Sequence, residues 1–157
     1  MSHKERLLDT MRSARAELEA VVGAYGGRLD AELGDGWLLR DALAHLAVWE
    51  RVAVRKIAGT PLPDGEDLAA REPWDLNTFN DAMRERWHTR TADEVLAEFA
   101  AAHRALVATV EGASEADCAP GGDAWRAVAE DGAGHYPAHF PVANPLAEQA
   151  ATPSTSP

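Results

Sequence analysis

The chain has 157 residues, one cysteine, six histidines and a net charge of −11 from 15 basic and 26 acidic side chains. This length suits one domain with a packed core. The charge argues against an electrostatic grip on nucleic acid or anionic lipid, because both need a positive surface. Cys118 alone forms no intramolecular disulfide and no multi-cysteine zinc site, and this cysteine usage points to the cytoplasm. No apolar run approaches the ~20 residues of a membrane span, and the charged start, Met1 to Arg6, lacks the apolar stretch of a signal peptide.

The periodic signals are helical, and no run alternates cleanly with a period of two. Ser2 and Glu5 have capping-box spacing. They open a helix expected over 3–25, with Leu7, Leu8, Met11, Leu18, Val21, Val22 and Tyr25 on one stripe and Gly26-Gly27 ending it. After Gly34-Asp35-Gly36 a second helix is expected over 37–58. Its apolar face is Leu39, Ala42, Leu43, Leu46, Trp49, Val52, Ala53 and Ile57. Gly59, Pro61, Pro63 and Gly65 mark a loop that runs on through Glu66 and Asp67 as solvated acidic surface. A shorter helix is expected over about 75–89, with Leu76, Phe79 and Met83 inward.

Thr91 and Glu94 form a second capping box. It opens a helix over about 92–112 with Val95, Phe99, Leu106 and Val110 inward, closed by Gly112 and Ser114. Residues 117–124 read as a loop. From Trp125 onward, Val128, Gly132, His135, His139 and Val142 keep a three-four spacing, but Gly132, Gly134, Pro137, Pro141 and Pro145 oppose a regular helix. The tail from Ala150 to Pro157 is small, polar and proline-bearing, and is expected to be disordered. The reading is an all-α four-helix bundle over residues 1–149, with one additional short helix and a disordered C-terminal tail over 150–157.

The chemistry-bearing arrangement is His45 with His135 and His139. If residues 135–139 are helical, the two closing imidazoles lie one turn apart on one face, and Pro137 and Pro141 threaten the helix that aligns them. His45 lies between Ala42 and Trp49 on the core face of the second helix. Three neutral imidazoles leave one position of a metal open, as catalytic sites do. The spacing equally fits an exposed pair, and a lone inward histidine is more often a hydrogen-bonded core residue. His103 also leans inward and reads as a partly buried residue at the bundle edge. His3 and His88 are expected at the surface. Asp41, four residues before His45, either orients that imidazole or sits in the first helical turn because the macrodipole favours it there. Trp37, Trp49, Trp74, Trp87 and Trp125 are expected in the core or on a pocket wall.

The stretch from Gly36 to Glu50, carrying Trp37, Arg40-Asp41 and Ala44-His45-Leu46, resembles a motif of the DinB-like superfamily. Leu76 to Asn80, Glu94 to Leu106 and the closing Gly134-His135-Tyr136-Pro137-Ala138-His139 are similar to later segments of that family, in the same order. Within it the sequence looks most like the DfsB/ClbS-type branch. The resemblance implies a four-helix bundle, often a homodimer, with a divalent metal on His45, His135 and His139, zinc or nickel preferred. Metal-binding members include bacillithiol- and mycothiol-dependent transferases and the maleylpyruvate isomerase type. Such a site activates water or a low-molecular-weight thiol against a reactive organic small molecule, in detoxification or self-resistance. The DfsB/ClbS branch implies an alternative: a metal-free hydrolase, or a sequestering binder, in which His45 or His135 positions water. Trp37, Trp49, Tyr136 and Asn80 would then wall the substrate pocket. A bundle that binds without turnover is a third reading, since a fold alone does not carry function.

Overall fold

The computed structural model describes residues 1–59 and 76–150. The loop expected around Pro61 to Asp67, Trp74 and the tail from residue 151 lie outside the described residues. In chain order come α1 (His3–Gly23), a two-stranded antiparallel hairpin of β1 (Glu32–Gly34) and β2 (Trp37–Leu38), and α2 (Leu39–Ala58). They are followed by α3 (Leu76–His88), α4 (Ala92–Gly112), α5 (Glu115–Cys118), α6 (Asp123–Asp131), a 3-10 turn (Ala133–Ala138) and α7 (Ala147–Ala150). The fold is all-α, as expected. Among the described residues no helix is long and apolar enough to cross a membrane.

Both capping boxes form. Ser2 Oγ accepts from the Glu5 amide and Glu5 returns the bond to Ser2 N at 2.7 Å. Thr91 and Glu94 do the same at the start of α4. The apolar stripes of α1 and α4 close the core through Leu7, Met11, Leu18, Val95, Phe99, Leu106 and Val110. The centre is α2, which packs on α3, α4 and α6. Its residues from Asp41 to Glu50 are all buried, including both acids. Leu76, expected inward, is 45% exposed at the start of α3, while Phe79 and Met83 are buried.

Two differences lie in the connections. The residues before α2 form a hairpin that periodicity did not show, because its strands are only three and two residues long. Its turn, Asp35-Gly36, has φ of 52° and 76°. That left-handed pair suits the two-residue turns of hairpins, and an Asp-Gly sequence is their local signature. The segment that leads into the hairpin replaces a side-chain cap. Leu38 stands at the N-cap of α2 and has no acceptor, so the Leu39 and Arg40 amides donate to Ala31 O and Leu29 O at 2.8 and 3.0 Å. The stretch 117–124, expected as loop, contains the end of α5 and the start of α6. Ser114 caps α5 by accepting from Asp117 N at 3.0 Å.

Candidate metal centre

His45 lies on the buried face of α2 and is 9% exposed. His135 and His139 come from the 3-10 turn and its C-terminal cap. One ligating nitrogen from each of the three histidines lies within 4.8 Å of the other two. Ring centroids are 4.5 Å apart for His45–His139, 5.2 Å for His45–His135 and 5.0 Å for His135–His139.

Pro137 does not splay the pair. The segment tightens into a 3-10 turn, where residues four apart point about 120° from each other in a regular repeat. At His139, however, φ is −125° and the chain leaves that repeat, so the two rings converge. His139 Nε2 and His135 Nε2 are 3.1 Å apart. Two nitrogens held at about 2.0–2.1 Å in a tetrahedral site stand about 3.3 Å apart. The turn reaches this place through a close backbone approach at Gly134. A Cβ there would lie 2.0 Å from Ala129 O, so only glycine fits.

Electrostatics favour the free base. Burial, with His139 and His135 adding to it, pushes His45 down from 6.5 to about 3. Burial and then His139 push His135 to about 4, and burial also lowers His139. Neutral imidazole is the form that binds a metal. His135 Nδ1 is buried without a hydrogen-bond partner. It is the ring nitrogen turned away from the Nε2 pair, so an ion held by that pair would leave it unpartnered, at a cost of about 1–3 kcal/mol. Spacing and neutrality nevertheless fit a divalent cation, and three imidazoles suit zinc, nickel, iron or copper.

Tryptophans flank the cluster. Trp37, delivered by the hairpin, meets His45 edge-on at 5.5 Å and lies 6.3 Å from His139. Trp49 stands 5.9 Å from His135 and 6.3 Å from His45. Asn80 on α3 holds Trp49 by accepting from Nε1 at 3.0 Å. Arg84 covers the Trp37 ring at 4.6 Å and donates to Gly36 O, tying the hairpin to α3.

Of the two readings of Asp41, the place in the first turn of α2 holds, while Tyr136 departs from its expected role. Asp41 accepts from Leu38 N at 3.0 Å and lies 3.1 Å from His88 Nδ1, with Arg84 at 3.8 Å. Its carboxylate therefore serves the start of α2 and the α3 face, and no hydrogen bond joins it to His45 among the described residues. Tyr136, expected on the pocket wall, is 1% exposed. Its ring points to the core because it sits between two histidines that face the other way. Its hydroxyl donates to Glu50 Oε1 at 2.5 Å. Burial, then the Glu50 carboxylate, raise the Tyr136 pKa well above 10.

Glu50 was not singled out by the motifs, yet it is 0% exposed. His103 Nδ1 approaches the same Oε1 at 3.1 Å, and Arg15 Nη1 faces Oε2 at 3.7 Å. Arg15 is itself buried, donating to Phe99 O at 2.9 Å and lying over the Phe99 ring at 3.6 Å. The signal was present in the sequence. Glu50 follows Leu46 by four and Leu43 by seven, and Arg15 follows Met11 by four and Leu8 by seven. Both are charges on apolar stripes, where helical periodicity puts them in the core.

A helical bundle whose core end gathers three neutral histidines has the donor set for a metal ion. The chain belongs to the DinB superfamily, whose family model matches residues 10–139. No curated protein and no solved structure matches it significantly.

Proposed function

We propose that the protein is an enzyme that holds one divalent ion on His45, His135 and His139 and turns water or a low-molecular-weight thiol against a reactive organic small molecule. The observation that carries this is the meeting of three neutral imidazoles, His45 buried and His135 and His139 half-buried, within 4.8 Å. A divalent ion there lowers the pKa of a water or thiol and so supplies the nucleophile at neutral pH. Zinc or nickel is the preferred ion. His45, on a rigid helix, sets the floor of the site. Trp37 and Trp49 exclude water on two sides and offer apolar faces to an organic substrate, with Asn80 fixing Trp49. The product is a thiol conjugate or a hydrolysed compound. The DfsB/ClbS-type branch is the preferred place within the superfamily. Detoxification or self-resistance is the preferred context, in a cytoplasmic homodimer with no nucleic-acid or membrane partner.

A metal-free hydrolase or sequestering binder is the second reading. It is favoured by the 3.1 Å contact of His135 Nε2 with His139 Nε2, a hydrogen bond that needs no ion. Metal analysis of protein purified without a histidine tag separates the two. About one equivalent in the parent and near none in His45→Ala and His139→Ala supports the first reading. Absence of metal from the parent under metal-replete conditions sinks it. Turnover of an electrophile and a thiol beyond one equivalent distinguishes an enzyme from a binder.

A further inference from the structure

The two histidine-bearing segments are not joined by backbone hydrogen bonds. Among the described residues, the side-chain bond that ties the 3-10 turn to α2 is Tyr136 Oη to Glu50 Oε1, at 2.5 Å. It starts from the residue between His135 and His139 and ends on the helix that carries His45. Both ends are nearly inaccessible, with Tyr136 at 1% and Glu50 at 0%. The Glu50 carboxylate is in turn gripped from two other helices. His103 of α4 lies 3.1 Å from Oε1 and Arg15 of α1 lies 3.7 Å from Oε2. A buried charged group in a bundle is costly, and apolar residues of similar volume often serve stability as well or better. A stability role alone therefore does not account for this four-residue network. Its geometry accounts for it better: the network fixes where the turn sits along and around α2.

We propose that Glu50 and Tyr136 are positioning residues of the histidine site, a strut that clamps the 3-10 turn against α2 so that His135 and His139 close on His45. The proposal rests on reading those three histidines as one site. Neither residue touches the reacting centre. Each acts through the imidazoles it places, and Arg15 and His103 hold the far end of the strut.

Tyr136→Phe tests this with the ring and its packing kept. The control is Val110→Ala, a cavity variant two turns of α4 beyond His103, which weakens the core without touching the strut. Cobalt(II) serves as the probe, because its visible absorption reports coordination directly. Tyr136→Phe is expected to bind cobalt about 10–100-fold more weakly than the parent and with an altered spectrum, the range seen when supporting partners of ligands are removed. Val110→Ala is expected to keep the parent affinity and spectrum. Unchanged cobalt affinity and spectrum in Tyr136→Phe overturns the proposal, and so does an equal loss in Val110→Ala. A second readout needs no metal. Ring-to-ring NOEs between His45 and His139, whose centroids are 4.5 Å apart, are expected in the metal-free parent and in Val110→Ala, and are expected to fade in Tyr136→Phe. If the parent binds no cobalt, the metal reading fails by itself. The NOEs still decide the strut: their persistence in Tyr136→Phe overturns it.

Discussion

The two halves of the histidine site are held in different ways. On α2, His45 and Trp49 ride on a helix whose ladder of backbone bonds fixes their spacing, and the helix is buried on all sides from Asp41 to Glu50. The other half, Ala133–Ala138 with His139 at its cap, is a short 3-10 turn containing a proline. It has little local stability of its own. Its place is set by a glycine that lets it lie against Ala129 and by one buried phenol bond to Glu50. The helix half is fixed by local structure and the turn half by tertiary contacts. Substitutions in the turn should therefore damage the site more than their cost in stability suggests, and substitutions on the helix half should do the reverse.

The largest expected break comes from Gly134→Ala. The added Cβ would meet Ala129 O at 2.0 Å, and that atom is backbone in α6. No flexible side chain can yield, so either α6 or the turn must move. The expected cost is about 3 kcal/mol or more, measured by urea denaturation, with loss of metal binding beside it. A cost below about 1 kcal/mol with the site intact would show that the turn adapts freely, and the contrast between the halves would fail.

The same contrast explains what could be read in the sequence. Capping boxes at Ser2–Glu5 and Thr91–Glu94 and the stripes of α1, α2 and α4 are local signals, and those helices lie where periodicity puts them. His45 is inward for the same reason. The hairpin was hidden because its strands are too short for any period, although Asp35-Gly36 carried its turn. At His135 and His139 the prolines argue locally against an aligned pair. What aligns them is the departure from the 3-10 repeat at His139 together with long-range packing, and no local pattern contains that. Tyr136 was misplaced because nothing near it in sequence reveals that its partner lies 86 residues away.

Acid should sharpen the comparison next. An unfolded imidazole takes a proton near 6.5, whereas His45 in the folded chain resists to about 3 and His135 to about 4. Between those limits the unfolded state binds more protons. The metal-free protein should therefore lose stability as pH falls from about 6.5 towards 4 and stay level above 6.5, with His45 contributing up to about 1.4 kcal/mol per pH unit. His45 is 9% exposed on a buried stretch of helix, while His135 and His139 are half-buried. His45→Ala should flatten the slope more than His139→Ala, as read from urea unfolding at pH 7, 6 and 5 in chelated buffer. Equal slopes in the parent and His45→Ala would mean that His45 is not held neutral by burial.

The smallest expected effect is the most pointed test of the helix half. Asn80→Ala removes the acceptor of Trp49 Nε1, a bond of 3.0 Å to a ring that is 8% exposed. Losing one hydrogen bond of this kind costs about 1 kcal/mol, visible as a small drop in Tm. Trp49 nevertheless stays on α2, and its ring still packs on Phe79 at 5.4 Å. His45 keeps its place because backbone bonds hold it, not Asn80. Cobalt affinity should therefore stay within about threefold of the parent, although Asn80→Ala and Tyr136→Phe each delete a single hydrogen bond, the one to the Glu50 carboxylate being the stronger at about 1.5–3 kcal/mol. If Asn80→Ala weakens cobalt as much as Tyr136→Phe does, then proximity to the rings, and not the way each half is held, governs the site.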